Sequence, residues 1–77
     1  MSSPTFKARF ADGVVTRMSC FCEPGQLDLK RGLTLVRAAY SSRVRREPPP
    51  IIEACFVEPF TDKVIKEYAV AELEGRP

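Results

Sequence analysis

Histidine is absent from this 77-residue chain. Without an imidazole there is no neutral-pH general base of the usual kind, no Ser-His or Cys-His nucleophile pair and no histidine metal ligand. Paired carboxylates do not fill the gap. Glu53 and Glu58 are the nearest candidates, and strand alternation places them on opposite faces. No run approaches the roughly 18 consecutive apolar residues of a membrane span. The first ten residues, MSSPTFKARF, hold no continuous apolar stretch, so a secretory leader is not expected and a cytoplasmic location is. Cysteine is scarce and odd in number, three in all, which fits reduced thiols better than a disulfide framework. Cys20-x-Cys22 with Cys55 lacks both the C-x2-C spacing and the fourth ligand of a thiolate zinc site. These cysteines read as small core hydrophobes. No enzyme activity, metal or cofactor is therefore expected.

What is present describes a globular protein. Hydrophobic residues make up 44% of the chain and charged residues 29%, a globular balance that excludes intrinsic disorder. The length suits a single domain over 1–77, with 1–4 and 75–77 frayed. A chain this short buries only about 60 to 65% of its unfolded surface, so its stability should be modest. Net charge is only +2, but it is unevenly placed. Residues 1–46 carry nine Lys/Arg against three acids, and residues 47–77 carry three against seven. Such asymmetry bears on partners and surface field.

The stretch Asp28–Arg46 (DLKRGLTLVRAAYSSRVRR) organises the rest. Leu29, Leu33, Val36, Tyr40 and Val44 recur at helical spacing and form one apolar stripe. Asp28 suits an N-cap. Gly32, inside the helix, costs about 1 kcal/mol relative to alanine, and a close approach by a strand or loop is one reason to keep it. Arg43, Arg45 and Arg46 suit the negative end of the helix dipole. Pro48-Pro49-Pro50 stops the helix.

Before it, residues 5–11 and 14–22 read as two strands joined at Asp12-Gly13, a strong hairpin signal. A three-residue loop with Gly13 left-handed pairs Phe10 with Val14, Ala8 with Thr16 and Phe6 with Met18. That register gathers Phe6, Ala8, Phe10, Val14, Met18, Cys20 and Cys22 on one face. Lys7, Arg9, Val15, Arg17, Ser19 and Phe21 then fall on the other. A two-residue loop would put Arg17 among the phenylalanines. After the prolines, residues 51–58 read as a third strand, with Ile52, Ala54 and Phe56 toward the helix and Ile51, Glu53, Cys55 and Val57 away from it. Pro59-Phe60-Thr61-Asp62 reads as a turn. Residues 63–68 are expected as a fourth strand and 69–74 as a helical turn, although 63–74 also admits a helical reading.

The expected fold is α+β, β-β-α-β-β, with an antiparallel-rich four-stranded sheet and one helix on one face. One helix covers one face, so the other is expected to be open. Its aromatic, β-branched and arginine residues suit a protein-binding surface. Lys7, Arg9, Arg17, Phe21 and Val57, with Arg43, Arg45 and Arg46 at the helix end, are the candidate partner-binding residues. The expected function is a non-enzymatic binding or inhibitor protein that occludes a protein partner. The alternative is a small nucleic-acid-binding accessory protein using the helix cations, although the sequence pI of 8.6 is low for that class. A structural homodimer is the third reading, and a membrane partner is not expected. In format the chain resembles small proteins encoded by phages and mobile elements, anti-CRISPR proteins among them. That resemblance implies an inhibitor of a host nucleic-acid complex and assigns no residue a role.

Overall fold

The computed structural model describes residues 3–20, 27–69 and 73. Its elements run β1 (Thr5–Phe10), β2 (Val15–Ser19), α1 (Leu29–Val44), β3 (Ile51–Val57) and β4 (Val64–Tyr68). The four strands form one antiparallel sheet in the order β2-β1-β3-β4. The chain is thus a small α+β domain with one helix beside one sheet.

The β1–β2 hairpin has the register that charge segregation requires: Phe6 lies opposite Met18, Ala8 opposite Thr16 and Arg9 opposite Val15. Its loop is closed by the Phe10 N–H donating to the Val14 carbonyl at 2.9 Å and the Gly13 N–H donating to the Phe10 carbonyl at 2.9 Å. Gly13 has φ +89°, a left-handed conformation that glycine adopts without steric cost. The Asp12 carboxylate accepts from the Val14 N–H at 3.0 Å and fixes the turn from within.

Helix α1 begins at the Asp28 cap, whose carboxylate accepts from the Arg31 N–H at 3.2 Å. It ends with Arg45 at φ 59°, whose N–H donates to the Ser41 carbonyl at 2.8 Å. Gly32, Leu33, Val36 and Tyr40 are buried, and Leu29 and Val44 pack partly against the core. The helix rests mainly on β1 and β2. Gly32 sets how close it comes, because a Cβ there would stand 2.6 Å from Phe6 Cδ1. Toward the other half of the sheet, the Phe6 and Phe56 rings meet edge-on at 4.9 Å, and those of Phe56 and Tyr68 at 6.0 Å. Leu73, fully buried, joins the same core after β4, its N–H donating to the Ala69 carbonyl at 3.2 Å. The rest of the helical turn expected over 69–74 is outside the described residues, apart from exposed Ala69.

Strand β3 departs from simple alternation at both ends, and two expectations are corrected there. Arg9 pairs with Glu53 while Phe10 pairs with Ile51, so Ile52 is an extra residue. The bulge turns Ile51 into the core (3% exposed) and leaves Ile52 outside (42%), the reverse of the expected placement. At the other end Phe56 pairs with Lys66 and Val57 with Val64, which makes Ile65 the extra residue on β4. Here Phe56 and Val57 are buried in succession, Val57 at 2% exposure. Val57 is therefore not an exposed anchor.

A polar knot ties the helix end to the hairpin tip. The Tyr40 hydroxyl donates to Asp12 Oδ2. The Arg46 guanidinium donates to the same oxygen at 3.0 Å and to the Tyr40 hydroxyl at 3.1 Å. The Asp12 carboxyl is held below its ordinary pKa of 3.8, first by the Tyr40 hydroxyl, then by the Val14 N–H and Arg46. A depressed folded pKa means stability that is complete above the unfolded pKa and lost as pH falls through the folded one. Asp12→Asn should therefore unfold at lower urea than wild type at pH 7. The gap should begin to shrink near pH 4 and close once the folded carboxyl is protonated. A gap that persists unchanged at low pH contradicts this.

Candidate protein-binding face

The strand registers align the residues opposite α1 in three rows. One runs Val15, Arg9, Glu53, the next Arg17, Lys7, Cys55, Glu67, and the third Ser19, Thr5, Val57, Val64. Among the described residues no helix or strand packs over the first two rows, because α1 and Leu73 join the core from the other side; in the third row Val57 is buried. The first two rows carry three cations and two anions, Arg9, Arg17, Lys7, Glu53 and Glu67, with Val15 and Cys55 among them.

The middle row sets Arg17 opposite Lys7, an unfavourable like-charge pair. Asp62 offsets the Arg17 charge. The two Arg17 Nη atoms donate to Asp62 Oδ1 and Oδ2, both at 2.8 Å. Arg17 lies on edge strand β2 and Asp62 in the β3–β4 turn, so this forked pair spans the face. Both side chains are half exposed, which limits the pair to about 1 kcal/mol or less; its geometry matters more, because a bidentate fork fixes orientation. Arg9 meets Glu53 more loosely at 3.5 Å. Among the described residues Lys7 and Glu58 have no ion-pair partner.

The turn that Arg17 holds is fixed from within as well. The Glu58 N–H donates to the Lys63 carbonyl at 2.9 Å, and the Asp62 N–H to the Glu58 carbonyl at 3.0 Å. The Thr61 hydroxyl donates to Glu58 Oε2 at 2.9 Å and accepts from the Lys63 N–H at 3.3 Å. Asp62 sits at φ 58°, a left-handed conformation that costs a non-glycine residue about 1 kcal/mol or more. On this braced turn Phe60 is 87% exposed. The sequence pattern marked the turn and missed the aromatic as a site residue. The available signal was that a phenylalanine between Pro59 and Thr61, at a turn apex, has no strand face to bury into.

Toward the opposite end of the face lies a depression of about 290 Å³, lined by Val15, Ile52 and Cys55 with Lys7, Arg9 and Glu53. The Cys55 thiol is pushed above its ordinary pKa, chiefly by burial, with Lys7 opposing and Glu67, Asp62 and Glu53 reinforcing. It is thus protonated at neutral pH and a poor nucleophile. Cys20 is buried in the core on the opposite side of the sheet, so these two thiols do not converge.

Of the candidate residues read from the sequence, Lys7, Arg9 and Arg17 come together on this face. Phe21 lies outside the described residues, as does Cys22. Arg43, Arg45 and Arg46 sit at the end of α1, in the layer behind the sheet. Arg46 is engaged by Tyr40 and Asp12, while Arg43 and Arg45 are exposed. The exposed helix cations form no single stripe: at about 100° per residue, Arg43 falls roughly 120° around the axis from Arg37. No described helix is long and apolar enough to cross a membrane. No protein-family model, curated protein or solved structure matches this chain.

Proposed function

We propose that this chain is a non-enzymatic protein-binding module that acts by occluding a surface of its partner. Its recognition surface is the sheet face opposite α1, extended by the Phe60 turn. The observation that carries this reading is a phenylalanine 87% exposed on a turn braced by backbone bonds and by a forked ion pair. A turn whose backbone is already held loses little conformational entropy on docking, and aromatics and arginines dominate the energetics of protein interfaces. Lys7 and Arg9 supply steering and pairing charges beside it. An inhibitor of a nucleic-acid-processing complex, of the kind phages and mobile elements encode, is the form of this function we favour. Direct phosphate binding by α1 is less well supported, since its cations are scattered around the helix and one of them is tied to Asp12.

The test is quantitative affinity capture from lysate of the source cells with three proteins: wild type, Phe60→Ala, and the Arg43→Ala/Arg45→Ala double variant. Phe60→Ala should weaken capture tenfold or more, as loss of an interface anchor does, while changing folding stability by no more than about 0.5 kcal/mol. The double variant should capture as wild type does, and capture should survive moderate salt. The reverse pattern, with Phe60→Ala neutral and capture lost in the double variant and at raised salt, identifies a phosphate-binding protein and overturns the proposal.

A further inference from the structure

We infer that the open face fits a second copy of this chain, with each copy's Phe60 seated in the other's depression about a two-fold axis. This rests on the reading of the face as a protein-binding surface and names one partner for it.

The Phe60 turn follows the end of β3, and the depression lies along its earlier part, from Ile52 to Cys55. Residues 53 and 57 are about 13 Å apart at ~3.3 Å per residue. A protruding ring at one end of a face and a hollow at the other end are what a two-fold contact requires, because residue i then meets j while j meets i. The hollow has room for one phenyl ring, with Val15 and Ile52 as apolar contacts among the charged Lys7, Arg9, Glu53 and Glu67. The charges at the two ends are complementary. Lys7, beside the hollow, and Glu58, on the Phe60 turn, both lack an ion-pair partner among the described residues. The same exchange that seats Phe60 brings each Glu58 toward the other copy's Lys7. The sheet edge at β4 is a poorer route to pairing: it carries an extra residue at Ile65 and charges at Lys63, Lys66 and Glu67, the usual devices that block edge-to-edge addition.

One ring and one ion pair per copy make a small interface, so association is expected between about 10 µM and 1 mM, in the weak range. Self-association and partner binding would compete for the same face. The free, binding-competent monomer would then prevail at low protein concentration.

The test combines sedimentation velocity across that concentration range with isotope-filtered NOE spectra of a sample mixing methyl-labelled and unlabelled protein. The inference predicts concentration-dependent dimers and contacts from the Phe60 ring of one copy to the Val15 and Ile52 methyls of the other. Phe60→Ala should abolish the dimer. Lys7→Glu should weaken it about tenfold, and combining Lys7→Glu with Glu58→Lys should restore it. A monomer at every concentration overturns the inference, as do dimers that survive Phe60→Ala or contacts elsewhere on the surface. A monomer leaves the broader binding reading intact, since that one depends on capture by Phe60→Ala. Undiminished capture by a Phe60→Ala protein that no longer dimerises would overturn the broader reading alone.

Discussion

Tyr40→Ala removes about 4 kcal/mol of stability, the usual cost of truncating a large buried aromatic. A 77-residue domain has roughly 4 to 12 kcal/mol in total, so the variant keeps between about 0 and 8 kcal/mol and is half unfolded at room temperature at the lower end of that range. The ring is fully buried, and it packs on Phe10 with centroids 4.5 Å apart. Its hydroxyl joins Asp12 on the hairpin tip to Arg46 beyond the helix end. Two contributions are therefore lost together, and Tyr40→Phe separates them. Phenylalanine keeps the ring and removes only the hydroxyl, a change expected to cost about 1 kcal/mol. Urea melts of the two variants beside wild type measure both values. Equal destabilisation by Phe and Ala would mean that the polar knot, not the packed ring, holds α1 to the hairpin.

Gly32→Ala should destabilise by about 2 kcal/mol, although the same exchange in an exposed helix interior would stabilise by about 1 kcal/mol. The added methyl would meet Phe6 at 2.6 Å, well inside contact distance. Phe6 cannot retreat easily, because it is fully buried with Phe56 against its other side. Overpacking of this kind usually costs about 1 to 3 kcal/mol. The cause can be checked with a second substitution. In a Phe6→Leu background the clash is relieved, and Gly32→Ala should then cost less than about 0.5 kcal/mol. If Gly32→Ala stabilises the otherwise unchanged protein, helix α1 stands further from β1 than described.

The buried stripe of α1 and the hairpin it packs on could be read in the sequence. Helical spacing of Leu33, Val36 and Tyr40 locates α1 and its buried stripe. The hairpin register follows from charge alone, since only one loop length keeps Arg17 away from Phe6 and Phe10. Both are local patterns with a strong penalty for error. The placement of β3 residues was less legible. Two irregular pairings, at Arg9–Phe10 and at Phe56–Val57, depend on how three strands meet, and no pattern within IIEACFVE announces them. The first turns Ile51 inward and Ile52 outward; at the second, Val57 keeps its place in the row with Thr5 but is buried. The polar knot was also hidden, because Asp12, Tyr40 and Arg46 are brought together by the packing of α1 against the hairpin. The same holds for Arg17 and Asp62, 45 residues apart. Arginine on an open face reads from sequence as available for a partner, but here it is already braced against a turn. What that turn presents is Phe60, and this moves the weight of the candidate site from Val57 to the β3–β4 connection.

The central claim is that recognition belongs to the sheet face opposite α1 and to the turn beside it. The most direct test is the binding footprint of the captured partner on isotope-labelled protein, followed residue by residue through NMR intensity loss. The account predicts losses centred on Lys7, Arg9, Arg17, Cys55 and Phe60, with Lys30, Arg37 and Arg43 unchanged. A footprint centred on Lys30, Arg37 and Arg43, with Phe60 unaffected, would contradict it.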